Sequence, residues 1–299
     1  MEHKIFKNAR CLVCDSNKFA QKSSSLRDSK KHKILKCYNC SHLQIFPIPT
    51  KNELQKFNDD FLQAKNIKYF GSISEHKEKS FNDTNRRVKF LEKIITKKSE
   101  IIEIGPGHGF FLEAMKMKGY KISGIEISKE KRKILKKVTK AKVLDINLEN
   151  EIPKNIKADI IVLFHVLEHL DEPIKFLLNL KKLLKKNGML IIEVPNSNDL
   201  LLENNTPYRK WNWQLAHISY FNPKTLKQIL KVTKYKKIKI QGIQRYGLEN
   251  MFNWKIIGKP QLAKPSYEIE DNYDWLETNY KLHLEKNMQS DTIISIASV

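Results

Sequence analysis

The strongest constraint on how this chain can fold is the stretch 101–109, Ile-Ile-Glu-Ile-Gly-Pro-Gly-His-Gly. A short apolar strand ends in an acid, then glycines fall at alternate positions, and Phe110-Phe111-Leu112-Glu113-Ala114-Met115 continues with helical periodicity. Gly105, Gly107 and Gly109 let the backbone turn sharply and approach a ligand closely. The spacing departs from the dinucleotide pattern G-x-G-x-x-G, so the context carries the argument. Tyr120 to Glu126 predicts a second strand with an acid at its tip, 17 residues past Gly109, and Ala141 to Asp145 a third ending likewise. Asp159 to Phe164 and Met189 to Val194 supply a fourth and a fifth. Between them the pattern predicts an amphipathic helix, Ile174 to Lys186, closed by Asn187-Gly188. Strands alternating with helices predict an α/β fold, a doubly wound parallel sheet covered on both faces. Ligands in such folds bind at the carboxyl ends of the strands, where these glycines and acids cluster.

All four cysteines fall in two tight pairs, Cys11-x2-Cys14 and Cys37-x2-Cys40, with 22 residues between. Two such turns converge four thiolates on a tetrahedral ion, which predicts a structural Zn²⁺ ribbon over about residues 1–50. With four protein ligands no coordination position is left for substrate, so this zinc is expected to stabilise and not to catalyse. Disulfides are the alternative, disfavoured in a reducing compartment. The intervening Asp15 to Lys36 is polar and Lys-rich and could build no core unaided.

The chain carries a net charge of +22 over 299 residues, which invites nucleic acid. The residue types argue otherwise: 48 of the basic residues are Lys and 7 are Arg, whereas base-edge and bidentate phosphate recognition favour the Arg fork. The Lys-rich run Lys129 to Lys142 is expected to be a solvated outer helix face. Apolar runs such as Ile160 to Phe164 stop far short of the roughly 18 residues a membrane span requires. No charged-then-apolar leader opens the sequence, so the expectation is a cytoplasmic protein.

With these residues in order, the chain resembles the class I S-adenosylmethionine-dependent methyltransferases. Glu103-x-Gly105-x-Gly107-x-Gly109 looks like the first motif of that family, which wraps the methionine part of the cofactor. The resemblance implies Glu126, followed by Ile127, as the ribose-binding acid, Asp145 and Ile146 against the adenine, and His165 of Phe164-His165-Val166-Leu167-Glu168-His169 beside the sulfonium. A four-cysteine module ahead of such a domain is similar to bacterial methyltransferases that modify nucleotide-linked sugars. Gln244 to Asn250, Trp254, Gly258-Lys259-Pro260 and a final strand Thr292 to Ala297 are similar to the same group. Its sugar C-methylating members carry a further C-terminal domain, so the likeness implies an O- or N-acceptor here.

Methyl transfer to a hydroxyl requires alignment and removal of a proton, and His is the usual base near neutral pH. His217 stands just before Asn222-Pro223, the predicted cap and first position of a helix from Lys224 to Val232. The resemblance implies a base at this position. It also implies that Glu168, His169 and His217 could hold a divalent ion that acidifies the acceptor hydroxyl. His165-Val166-Leu167-Glu168-His169 spells the inverted zinc-protease pattern too, but it follows an apolar strand and leaves the glycine loop without a role.

The resulting expectation is a zinc ribbon over 1–50, a helical lead-in over 51–98 with helices at 51–62 and 79–97, and a methyltransferase domain over 99–299. A helical cap is expected at about 245–290. Tyr69 and Phe70 are placed to close over the cofactor. The expected acceptor is a small molecule, an anionic nucleotide-sugar or a phosphorylated sugar. The competing expectation is an RNA base or protein methyltransferase whose ribbon grips the macromolecule, or N- or C-methylation of a small molecule. Scarce Arg, and the lack of an Asn/Asp-Pro-Pro-Tyr-type loop after the fourth strand, argue against the RNA base.

Overall fold

The structure, a computed structural model, describes residues 4–55, 73–148, 152–153, 155–260 and 273–299. Tyr69 and Phe70 lie outside the described residues, as does the 51–62 helix beyond residue 55; residues 51–55 are helical. Four short strands come first: β1 (Lys4–Ile5), β2 (Lys18–Ser23), β3 (Lys33–Cys37) and β4 (Leu43–Phe46). The helices Ile73–Lys79 and Phe81–Glu92 then lead to β5 (Glu100–Ile104), β6 (Lys121–Ile125), β7 (Lys142–Leu144), β8 (Ala158–Phe164) and β9 (Leu184–Pro195). The remaining strands are β10 (Ser219–Tyr220), β11 (Lys236–Ile243) and β12 (Thr292–Ser298).

Seven of these form one sheet in the order β11-β12-β9-β8-β5-β6-β7. The five strands from β5 to β9 pair in parallel, and β12 runs antiparallel between β9 and β11. In β8 every side chain from Ile160 to Leu163 is buried, as in a parallel strand covered on both faces. Strand alternation sends Ile161 and Leu163 to the face packed by Leu177, Leu180, Leu226 and Ile229. Ile160 and Val162 point the other way, onto Val88, Leu91, Phe111 and Met115. Each fully buried aliphatic of this kind contributes about 1.5–3 kcal/mol. The helices that supply these partners, Phe81–Glu92, Phe110–Met117, Pro173–Leu183 and Pro223–Val232, therefore flank both faces. The start of the last is the expected one: Asn222 Oδ1 accepts from Thr225 N at 2.9 Å, with Pro223 at the first position.

Element boundaries differ in places. The lead-in helix runs Phe81–Glu92, short of the expected 79–97 at both ends. The helix after β8 ends at Leu183, three residues before the expected Lys186. Leu184 is already in the ladder opposite Ala158, and Asn187, at φ +64°, sits with Gly188 inside β9. A Cβ on Gly188 would approach the carbonyl oxygens of Lys185 at 2.9 Å and Asp159 at 3.1 Å, so this glycine serves the strand's irregular start. Between β11 and β12 the described chain is largely helical, with Leu248–Phe252, Asn253–Ile257 and Asp274–Lys286.

The second sheet, β1-β2-β3-β4-β10, is antiparallel. Its fifth strand belongs to the segment after β9: Ser219 pairs with Gln44 and Tyr220 with Leu43. Ile45 N also donates to Ile218 O at 2.9 Å. Leu26, Ile34, Leu43 and Ile45 pack with Leu202, Trp213, Leu215 and Tyr220 in a shared apolar cluster. The cysteine-bearing sheet is thus built into the carboxyl side of the larger one.

Gly109 caps the helix Phe110–Met117 at φ +81°, and an added Cβ would overlap the Leu135 and Thr139 side chains. Strain of roughly 1–2 kcal/mol and overpacking of about 1–3 kcal/mol should add. Gly109→Ala is expected to lower Tm by about 5–10 °C in a thermal melt. Gly107→Ala should lose less, because that Cβ meets nothing within 4 Å.

Candidate functional site

The loop after β5 is held by two backbone bonds, Gly105 N to Ile125 O at 2.9 Å and Gly109 N to Pro106 O at 2.8 Å. Gly105, at φ +62°, lies so close to the chain after β8 that a Cβ would stand 2.9 Å from Val166 Cγ2. Two cavities open on either side of this turn. The first, about 390 Å³, is bordered by Glu103, Gly105, Gly107, Gly109, Phe164 and His165. Glu103 is buried, and among the described residues its Oε2 has no hydrogen-bond partner. Burial pushes its carboxyl up to about 8, against the opposing charge of Arg87. An acid buried beside a glycine turn with an unpaired oxygen among the described residues fits a cationic group, such as the ammonium of a methionine moiety, whose charge would favour its ionised form.

The second cavity, about 540 Å³, is bordered by Gly105, Glu126, Ile127, Ile146, Val166 and Phe176, among others. Glu126 is buried, and its Oε1 accepts from Ser128 N at 2.9 Å. The apolar walls and this one acid suit a nucleoside. Asp145 does not line the cavity; Asn147 does. The Asp145 carboxylate is 66 % exposed and pairs with Arg132 Nη2 at 2.6 Å. Arg132 is tethered to the backbone oxygens of Glu126 at 2.9 Å and Ile127 at 2.7 Å, so it draws Asp145 outward.

A third cavity, about 260 Å³, has aromatic walls, Tyr208, Trp211, Tyr246 and Trp254, with His217 and Arg245 on its border. His165 borders all three cavities. It adopts φ +56°, its N–H donates to Glu193 O at 2.9 Å, and its Nδ1 lies 3.1 Å from Glu168 Oε1. Nε2 stands 3.4 Å from Glu193 Oε1. Burial works to lower its pKa, but the bonds to Glu168 and Glu193 prevail and raise it. Burial conversely favours a neutral Glu168, yet His165, His169 and His217 hold its carboxyl down to about 2.

Sequence reasoning did not single out the charges behind His165. Glu193, at the end of β9, is fully buried and accepts from Arg86 Nη1 at 2.9 Å and Nη2 at 3.0 Å. It also accepts from Arg87 Nη2 at 2.6 Å and Nε at 3.1 Å. Arg245 Nε bonds Asp83 Oδ2 at 2.9 Å, which ties the segment after β11 to the helix Phe81–Glu92. The available signal was the placement of scarce Arg: two of the seven are adjacent in the lead-in helix.

Glu168, His169 and His217 come together as expected, each with a ligand-capable atom within 4.8 Å of the others. His169 Nδ1 is 2.6 Å from Ala216 O, so Nδ1 carries a proton and donates to it. The His169 and His217 rings are 5.0 Å apart. Burial lowers His217 to about 3, against the pull of Glu168, so its imidazole is neutral near pH 7. Cys11, Cys14, Cys37 and Cys40 also converge, with Sγ pairs at 3.5 and 3.6 Å and no disulfide. Four thiolates about 2.3 Å from a tetrahedral zinc stand about 3.8 Å apart, so this donor set fits the ion.

The strand order, with one antiparallel strand between β9 and β11 and a glycine turn after β5, is that of the class I S-adenosylmethionine-dependent methyltransferase fold. Residues 76–239, more than half of the chain, match the family model of the methyltransferase domain, and the chain belongs to that family. A ubiquinone biosynthesis O-methyltransferase of Coxiella burnetii is 28 % identical over 118 residues, 38 % of this chain and 50 % of that protein. The one of Rickettsia canadensis is 23 % identical over 198 residues, 64 % of this chain and 77 % of that protein. This chain therefore spans about half the length of the first curated relatives it matches. A S-adenosylmethionine-dependent methyltransferase of Archaeoglobus fulgidus shares the fold, with TM-score 0.51 and 21 % identity over 80 % of this chain and 99 % of that one. No described helix is long and apolar enough to cross a membrane.

Glu103 gives this site a pH signature. Its folded pKa of about 8 lies above the ordinary 4.5, so between these values the folded state binds the extra proton. Stability from this group is fully present below pH 4.5 and is lost as pH rises towards 8, by a few kcal/mol at most. Melting temperatures of the cofactor-free protein across pH 5–8 should decline more steeply than those of Glu103→Gln.

Proposed function

We propose that this protein uses S-adenosylmethionine to methylate a hydroxyl of a sugar or nucleotide-linked small molecule, with His217 as general base. The observation that carries the reading is the position of His165 at the meeting point of both cofactor-sized cavities and the aromatic-walled one. In this assignment Glu103 and the glycine turn hold the amino-acid end, Glu126 accepts from the ribose hydroxyls, and Ile127 and Ile146 flank the base. Asp145 acts only indirectly, by anchoring Arg132. Bound S-adenosylmethionine supplies an electrophilic methyl group on a positively charged sulfur. The protein's task is to align the acceptor oxygen behind that carbon, exclude water and take the hydroxyl proton. His217 suits the last task because it borders the third cavity and is neutral. As the acceptor oxygen takes up that methyl group, its proton would pass to the His217 imidazole.

Tyr208, Trp211 and Trp254 offer ring faces to a flat or sugar-like acceptor, and the basic module ahead of the domain suits an anionic one. O-methylation is also the chemistry named for the curated relatives. Those names favour a second acceptor reading, a ubiquinone precursor. Zinc at the four cysteines is assigned a structural part. In the alternative to a His217 base, Glu168, His169 and His217 form a donor set that suits a divalent ion acidifying the acceptor, with His217 then a ligand.

His217→Asn should reduce kcat by about 10²–10⁴ with cofactor affinity retained; unchanged turnover removes the base. Label from S-adenosylmethionine should enter a nucleotide-sugar pool, and not RNA or a quinone-lipid extract offered separately. Label confined to either of the latter overturns the sugar reading. Activity surviving prolonged EDTA, with the cysteine-bound metal still present, excludes the divalent ion.

A further inference from the structure

Arg27 of the four-cysteine module stacks on Trp211, a residue that borders the third cavity. Arg27 lies in the turn between β2 and β3, and its contacts run in order along the segment that precedes His217. Its backbone N donates to Trp213 O at 2.9 Å, and its Nη1 to Trp211 O at 3.0 Å. The guanidinium carbon lies 4.6 Å from the centre of the Trp211 ring. Nη2 donates to Gln214 Oε1 at 2.6 Å, and the neighbouring Asp28 Oδ1 accepts from Leu215 N at 2.9 Å.

The bond to Gln214 has a directional consequence. A guanidinium has donors only, so the amide oxygen of Gln214 must face Arg27. The amide nitrogen is then turned to His217, where it lies 3.0 Å from Nε2 and 3.2 Å from Nδ1. Nearly equidistant from two ring nitrogens whose lone pairs lie in the ring plane, that N–H stands over the imidazole face and fixes the plane of the ring. Without Arg27 the amide can rotate, and its long side chain regains rotamer freedom. Lys offers a point charge in place of the fork and cannot serve Trp211 O and Gln214 Oε1 with the same geometry.

We propose that Arg27 is a positioning residue for the transfer site: through Gln214 it orients the His217 ring, so the cysteine module completes the acceptor side of the site. This rests on the reading of His217 as a transfer-site residue. Arg27→Ala, Arg27→Lys and Gln214→Leu in the full chain, labelled with 15N-histidine, provide the test. The ring signals of His217 are those missing from His217→Asn. The wild-type protein should show one sharp set of long-range ring correlations, from a single ring orientation. Arg27→Ala and Gln214→Leu should each broaden or average that set, the double variant no further, and Arg27→Lys should fail to restore it. Metal content and S-adenosylmethionine affinity should be unchanged, while methyl transfer into whichever pool takes label falls about tenfold or more.

An unaltered His217 set in both Arg27→Ala and Gln214→Leu overturns the proposal. Should Arg27→Ala lose its fold, Gln214→Leu carries the test, since it leaves the backbone contacts between Arg27 and the segment intact. A perturbed set with undiminished transfer upholds the positioning and overturns the part assigned to His217, which separates this inference from the function it rests on.

Discussion

The geometry of the site depends on the buried charge of Glu193. A carboxylate removed from water costs several kcal/mol, and here it is repaid by four N–H donors from Arg86 and Arg87, with His165 Nε2 beside it. An apolar cluster of equal volume could stabilise the fold as well, but it would not fix directions. Four donors on one carboxylate tie the helix Phe81–Glu92 to the end of β9. His165 N–H bonded to Glu193 O then ties the turn after β8 to the same place. Glu168 takes the other ring nitrogen, so His165 is held at both ends. Removing Glu193 would leave the guanidinium groups of Arg86 and Arg87 without the carboxylate they share.

The second organising feature is the strand that the main domain lends to the cysteine-bearing sheet. β10 is only two residues long, but it is reinforced by the bond from Ile45 N to Ile218 O and by the shared apolar cluster. His42 Nε2 stands 3.2 Å from Ser219 Oγ, so a fully buried side chain of the module also touches this strand. A small sheet with four convergent sulfurs packs Leu26, Ile34, Leu43 and Ile45 against the larger domain. In return it walls the segment that carries His217.

Much of this arrangement was legible along the chain. The five parallel strands could be read because each is a short apolar run ended by polar groups, and burial on both faces demands that pattern. The glycine turn was legible because left-handed dihedrals at Gly105, Gly107 and Gly109 leave few residue choices. Cys11, Cys14, Cys37 and Cys40 were legible because metal-ligand spacing is local within each pair. Asp145 shows where local reasoning stops: an acid at the end of β7 has the expected position, but a cation from the adjacent helix decides which way it points. The early end of the helix at Leu183 has the same origin, since pairing with Ala158 outweighs helical periodicity.

By itself, then, the sequence determined the five parallel strands, the glycine turn after the first of them and the two sets of convergent donor groups. These depend on period, spacing and backbone freedom, which are properties of near neighbours in the chain. Only the tertiary structure decided that Arg86 and Arg87 meet Glu193, 107 and 106 residues away, and that Arg27 meets Gln214 across 187. Only the folded chain set β10 beside β4. Charge pairing and strand addition act through space, and no periodicity records which distant partner will be there.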